Sequence, residues 1–247
     1  MTALAGLNVC LWLTVWFLGL GSGLHSRVHL ALSGVYVLVC AYRSVLPRVD
    51  LERLVVVDSR LSSIFLGRSA ATIAEICFAF QLGLLVDQLA IHANMPRIQG
   101  AAWVIPVFMV VAQGFCWHSV LTLNHITQAV ESIFWAAGFA WMAALLGVIA
   151  LGSSGWVSSL SWFGILCSTA FVIYVLNIDA PMYWRRYRQG RARGQVYMPV
   201  QHGVRDAWRR RVRSGRWEAW RSDARWLTPY FSLGVWASIG MVLIPGS

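Results

Sequence analysis

The chain contains no lysine; all twenty of its Lys/Arg residues are arginine. Chemistry that needs an ε-amine is thereby excluded. That covers a retinal Schiff base, a PLP aldimine and the lysine of a phosphate-binding loop. Charge of either sign is also scarce, at 12% of residues, where soluble domains carry about a quarter. With 58% hydrophobic residues, such a chain cannot cover itself with polar surface in water. Compact catalytic motifs are missing too: there is no HExxH, no ExxH pair and no GxSxG. Six histidines are too few for the several histidine clusters of membrane desaturases and hydroxylases. The five cysteines form no CxxC and sit singly in apolar runs. They read as small packing residues rather than a disulfide framework or a zinc site. No arginine precedes Arg27, so residues 4–20 read as a retained first span rather than a secretory signal.

What the chain has instead is long apolar runs and 14 tryptophans. A bilayer core about 30 Å thick requires about 20 apolar residues per helical span, and indole rings favour headgroup depth. The fold class expected is therefore an all-α integral membrane protein, a single domain over residues 1–247. Seven spans are predicted, at about 4–21, 29–45, 69–91, 101–123, 126–151, 160–183 and 227–244.

The arginines orient these spans. Residues 185–225 hold thirteen arginines against Asp206, Glu218 and Asp223, which accounts for the whole net charge of +10. The segment 46–68 holds Arg48, Arg53, Arg60 and, at its edge, Arg68. The intervening loops hold only Arg27 and Arg97. The positive-inside rule then places the N-terminus in the cytoplasm and the C-terminus outside. Arginine in place of lysine throughout fits a GC-rich genome, which points to a bacterial cytoplasmic membrane.

Two cytoplasmic loops carry further expectations. Leu51, Leu54, Val55, Leu61 and Phe65 recur at helical spacing, which predicts a short interfacial helix within 46–68. In the loop 185–226, Trp208, Trp217, Trp220 and Trp226 alternate with arginine. Tryptophan at headgroup depth and guanidinium on phosphate would hold this loop to anionic lipid, with Arg185, Arg186, Arg188, Arg209, Arg210 and Arg211 as headgroup ligands. An acidic protein partner could dock on the same loop. Flanking spans make nucleic acid an unexpected partner.

Ionisable residues inside spans are costly and mark candidate sites. Glu75, His118, Glu131 and Asp179 lie on four successive spans, each within about 8–9 Å of the inner boundary at 1.5 Å per residue. Two carboxylates, a histidine and an aspartate could ligate a divalent metal or form a proton-transfer set. The structural alternative is interhelical hydrogen bonding, with Arg43 and Arg68 neutralising the acids. Gln128, Glu131 and Ser132 share one face. Gln81 and Gln113 lie near mid-span and invite a mutual hydrogen bond. His118 and His125 share a face if the helix continues through Asn124. Pro106 predicts a kink, and Pro181 predicts a break in the sixth span beside Asp179.

Three functions fit. The first is a membrane-embedded enzyme acting on a lipid or isoprenoid at the cytoplasmic leaflet. The second is a non-catalytic subunit or assembly factor of a membrane complex. The third is an ion- or proton-coupled transporter or channel. The apolar outer halves of spans five and six, and the lack of an internal repeat, weigh against the third.

Overall fold

Pro106 has no amide hydrogen, so the Ala102 carbonyl one turn earlier loses its helical donor. The helix is accordingly interrupted at Trp103, which separates α4 from α5. Similar local causes shape the rest of the chain. A computed structural model describes residues 2–20 and 23–245, apart from the side chains of Ser222, Arg225 and Trp226. It is 82% helical, which establishes the all-α class. The elements in order are α1 (Thr2–Phe17), α2 (Leu24–Val45), β1 (Arg48–Val49), β2 (Leu54–Val55), α3 (Ile64–His92), α4 (Pro96–Ala102), α5 (Val104–Thr122), α6 (His125–Gly152) and α7 (Gly155–Tyr174). They continue with α8 (Ala180–Ala192), α9 (Val200–Arg209), β3 (Val212–Arg213), α10 (Trp217–Pro229) and α11 (Val235–Gly240).

Among the described residues, five segments are long and apolar enough to cross a membrane: Leu24–Val45, Ile64–His92, Pro96–Thr122, His125–Gly152 and Gly155–Ala192. The expected first and last spans are apolar helices of 10–17 residues. The second span, expected from residue 29, starts at Leu24 and includes His25 and His29, whose rings stand 4.5 Å apart.

The chain forms two compact units, Met1–Gln81 with Val200–Gly246, and Leu82–Pro199. In the first, α1, α2, the start of α3 and the last helices close around Val15, Tyr36, Val37, Cys40, Ala74, Phe231 and Val235. Pro229 is followed by a π-helical turn at Tyr230–Gly234. Asn8 serves that turn: its Nδ2 donates to the Phe231 carbonyl at 2.7 Å, and its Oδ1 accepts from Trp236 Nε1 at 3.0 Å. Gln81 bonds in the same unit, with its Nε2 donating to the His29 and Ser238 carbonyls and its Oε1 accepting from Ser238 Oγ. These bonds, rather than the expected pairing with Gln113, take up its amide.

The interfacial helix expected within 46–68 does not form. The run Val55-Val56-Val57 is β-branched and favours extended backbone. β1 and β2 make an antiparallel pair, and β3 from the arginine-rich loop adds parallel to β2. Arg53 turns the hairpin at φ 56° and is almost wholly buried. Its Nε donates to Asp206 Oδ2 at 2.8 Å and its Nη1 to the Asp50 carbonyl at 2.7 Å. Residues 48–55 and the part of the arginine-rich loop from Val200 onward thus share one small folded body. Trp220 lies in its core with Val49 and Leu54, so its ring packs against protein. Trp208 and Trp217 are exposed, and Trp226 lies outside the described side chains.

In the second unit, Pro181 does not break the helix. Val175–Asp179 forms a π-helical turn, in which the Ala180 amide donates to the Val175 carbonyl, and α8 continues from it. The wider turn accommodates a residue without an amide hydrogen, and such turns often mark functional positions. Val175 and Ala180 pack on Ala136 of α6.

Candidate functional site

The site begins where α6 begins. Leu123 ends α5 in the left-handed conformation, at φ 58°. Asn124 then caps α6, its Oδ1 accepting from the Ile126 amide at 3.1 Å. The helix therefore does not run through Asn124, and His118 and His125 belong to separate helices. Downstream, Gln128, Glu131 and Ser132 form one buried polar face of α6, as three- and four-residue spacing dictates.

This face is satisfied internally and across to the π turn. Gln128 Nε2 donates to Glu131 Oε2 at 2.5 Å, and Cys116 Sγ reaches Gln128 Oε1 at 3.9 Å. Ser132 Oγ donates to Asp179 Oδ2 at 2.6 Å. Glu131 is 8% exposed and Ser132 4%, whereas Asp179 is only half-buried. One carboxylate is enclosed and the other is reachable. Their anchors, Gln128 and Ser132, are one helical turn apart on α6.

His118 occupies a different place. It is on the exposed side of α5, with Nδ1 3.3 Å from Thr127 Oγ1. With Val111, Gly114 and Phe115 the pair lines a shallow, almost wholly apolar groove.

Glu75 belongs to the first unit. Arg68 Nη2 donates to its Oε2 at 2.5 Å, and the Tyr230 hydroxyl donates to its Oε1 at 3.0 Å. Arg68 and Glu75 are seven residues apart, which stacks them two turns along one face of α3. Arg68 also stands 3.9 Å from Asp50. The neutralisation of Glu75 by Arg68 is the arrangement that the sequence offered as the structural alternative. Arg43 lies buried in the same unit, and its Nε has no hydrogen-bond partner among the described residues.

The six candidate headgroup arginines divide. Arg185, Arg188, Arg209 and Arg210 are exposed. Arg186 is half-buried, its guanidinium 5.9 Å from the Tyr183 ring centroid. Arg211 Nε donates to Asp58 Oδ1 at 2.5 Å, and Arg210 stands 3.9 Å from Asp206. Sequence reasoning missed Arg48, which is buried with Nη1 donating to the Ser63 carbonyl at 2.8 Å. Burial pushes its guanidinium below the ordinary arginine range, while Tyr42 holds it up. The only available signal was Gly67, whose missing side chain makes the room.

Among the described residues, no three His, Cys, Asp or Glu side chains gather into a group able to hold a metal ion. No known protein family, curated protein or solved structure matches this chain, so its functional reading rests on geometry.

Proposed function

We propose that the protein is a membrane-embedded enzyme of the bacterial cytoplasmic membrane, acting on a lipid or isoprenoid at the cytoplasmic leaflet. The observation that carries this reading is the 2.6 Å hydrogen bond from Ser132 to Asp179, beside the enclosed Glu131. A half-buried carboxylate held by a buried hydroxyl is poised for general base chemistry. Glu131, enclosed beside Ser132 on the same face of α6, is the second carboxyl group of the site. In this reading Glu75 is neutralised by Arg68 and keeps unit 1 together rather than reacting.

The seven-span arrangement, with N-terminus inside and C-terminus outside, belongs to the same proposal. It puts the polar face of α6 in the inner leaflet and the exposed Arg185, Arg188, Arg209 and Arg210 on anionic headgroups.

The test compares the lipid extracts of cells expressing the wild type, Glu131→Gln or Asp179→Asn, at matched protein levels. The wild type should deplete or create a lipid or isoprenoid species, and both variants should leave it unchanged. Lipid profiles that are the same in all three, and in cells lacking the protein, would sink the enzyme reading and favour a non-catalytic subunit.

A further inference from the structure

We infer that the second unit holds a binding site for the phosphoryl group of an anionic amphiphile, in a cavity of 330 Å³ at the start of α6 and the end of α8. Its lining is His125, Arg186, Gln189, Gly190, Arg193 and Gln195, without an acid. Asp and Glu are absent from the whole stretch 180–205.

The cavity is built by the way α8 ends. Gly194, at φ +71°, turns the chain back. The amides of Arg193 and Gln195 both donate to the Gly190 carbonyl, at 3.1 Å and 3.0 Å. That fold-back sets Arg193 and Gln195 beside Arg186 and Gln189. Gly190 leaves room for the Gln195 side chain, since a Cβ there would lie 2.3 Å from Gln195 Oε1. His125, the first residue of α6, supplies the opposite wall, and the N-terminal end of that helix adds partial positive charge. Two guanidinium groups, an imidazole and two amides line the cavity. Guanidinium groups match phosphoryl oxygens in bidentate fashion.

The ligand should be an amphiphile because the same helices carry the polar face described above. His125 and Glu131 are six residues apart on α6, about 9 Å along the axis. Asp179 and Arg186 are seven apart, about 10 Å if helical rise holds through the turn. α6 and α8 pack together directly. The cavity and the polar face thus lie about two helical turns apart along the same pair of packed helices. The assignment of this ligand as substrate rests on the proposed enzyme function; the binding site itself does not.

The experiment uses the full chain in phosphatidylcholine nanodiscs and measures binding of short-chain phosphatidic acid, the matched diacylglycerol and inorganic phosphate. Phosphatidic acid should bind saturably and diacylglycerol should not. Arg186→Gln and Arg193→Gln should each weaken binding about tenfold or more, the scale of a lost charge-assisted bond. Arg191→Gln, an exposed arginine of α8 outside the cavity, should stay within about twofold of wild type. Gly190→Ala should weaken binding without changing the melting temperature, since only the end of the Gln195 side chain must move. Displacement by inorganic phosphate would identify free phosphate as sufficient; resistance to it would identify the lipid as the ligand. Absence of saturable binding, or equal losses in Arg191→Gln and the cavity variants, would overturn the site. Glu131→Gln should bind normally, so a failed enzyme reading would leave this result standing.

Discussion

Ser132 and Asp179, forty-seven residues apart in the chain, are joined by a hydrogen bond of 2.6 Å between α6 and the π turn that follows α7. The π turn exists because Pro181 denies the helix an amide hydrogen. The proline that seemed to end the span instead sets the aspartate against α6.

That bond can be weighed by a double-mutant cycle. Ser132→Ala and Asp179→Ala should each destabilise the protein by about 1–2 kcal/mol, because each removes one partner of the bond. Their combination should cost less than the sum, by about 0.5–1.5 kcal/mol of coupling. Thermal melting in detergent measures all four corners. Strict additivity would show that the two groups act separately.

Arg53 and Asp206 tie the two charged loops together. Arg53 is 1% exposed and Asp206 16%, so removing the acid leaves an arginine that water cannot reach. Asp206→Ala should destabilise unit 1 by about 3 kcal/mol, and should open residues 200–214 to limited proteolysis. Arg53→Met, which removes the charge and keeps most of the volume, should cost less than Asp206→Ala. Equal protease resistance in all three proteins would show that the pair is dispensable.

Gly67 illustrates how a glycine can be fixed by a side chain far from it in sequence. A Cβ there would lie 2.2 Å from Arg48 Nη1 and 2.4 Å from its Cδ. The guanidinium cannot swing aside without leaving the Ser63 and Leu61 carbonyls it serves. Gly67→Ala should therefore lower stability by about 1–3 kcal/mol. Adding Arg48→Ala should not double the loss, because the two changes remove one and the same contact.

Much of this architecture is legible in the chain. Apolar length gives the helices, and Pro106 gives the interruption at Trp103. The buried face Gln128–Glu131–Ser132 follows from 3.6-residue periodicity. The loops are not legible, for a physical reason. Leu51, Leu54, Val55, Leu61 and Phe65 have helical spacing, yet the hairpin wins because Arg53 gains a buried partner in Asp206, 153 residues away. No local pattern encodes a long-range ion pair. Likewise Trp220 reads as interfacial until β1 and β2 supply a core for it. Depth along a helix does not encode rotation about its axis: within the second unit Glu131 and Asp179 flank Ser132 while His118 turns outward to Thr127, and in the first unit Glu75 is held by Arg68 and Tyr230.

Orientation remains the proposal on which every inner-leaflet statement depends, and it can be tested directly. A reporter active only in the cytoplasm should give signal when fused after Gly190, and none after Gly155. Gly190 lies in α8, amid arginines, whereas Gly155 begins α7 next to an uncharged turn. Arginine-rich loops are retained on the cytoplasmic side as a matter of insertion bias. Thirteen arginines on the outer side would oppose the bias that sets topology. The reversed pattern of signal would place Glu131 and Asp179 in the outer leaflet. It would also turn the phosphoryl cavity toward the outside and exclude a cytoplasmic substrate.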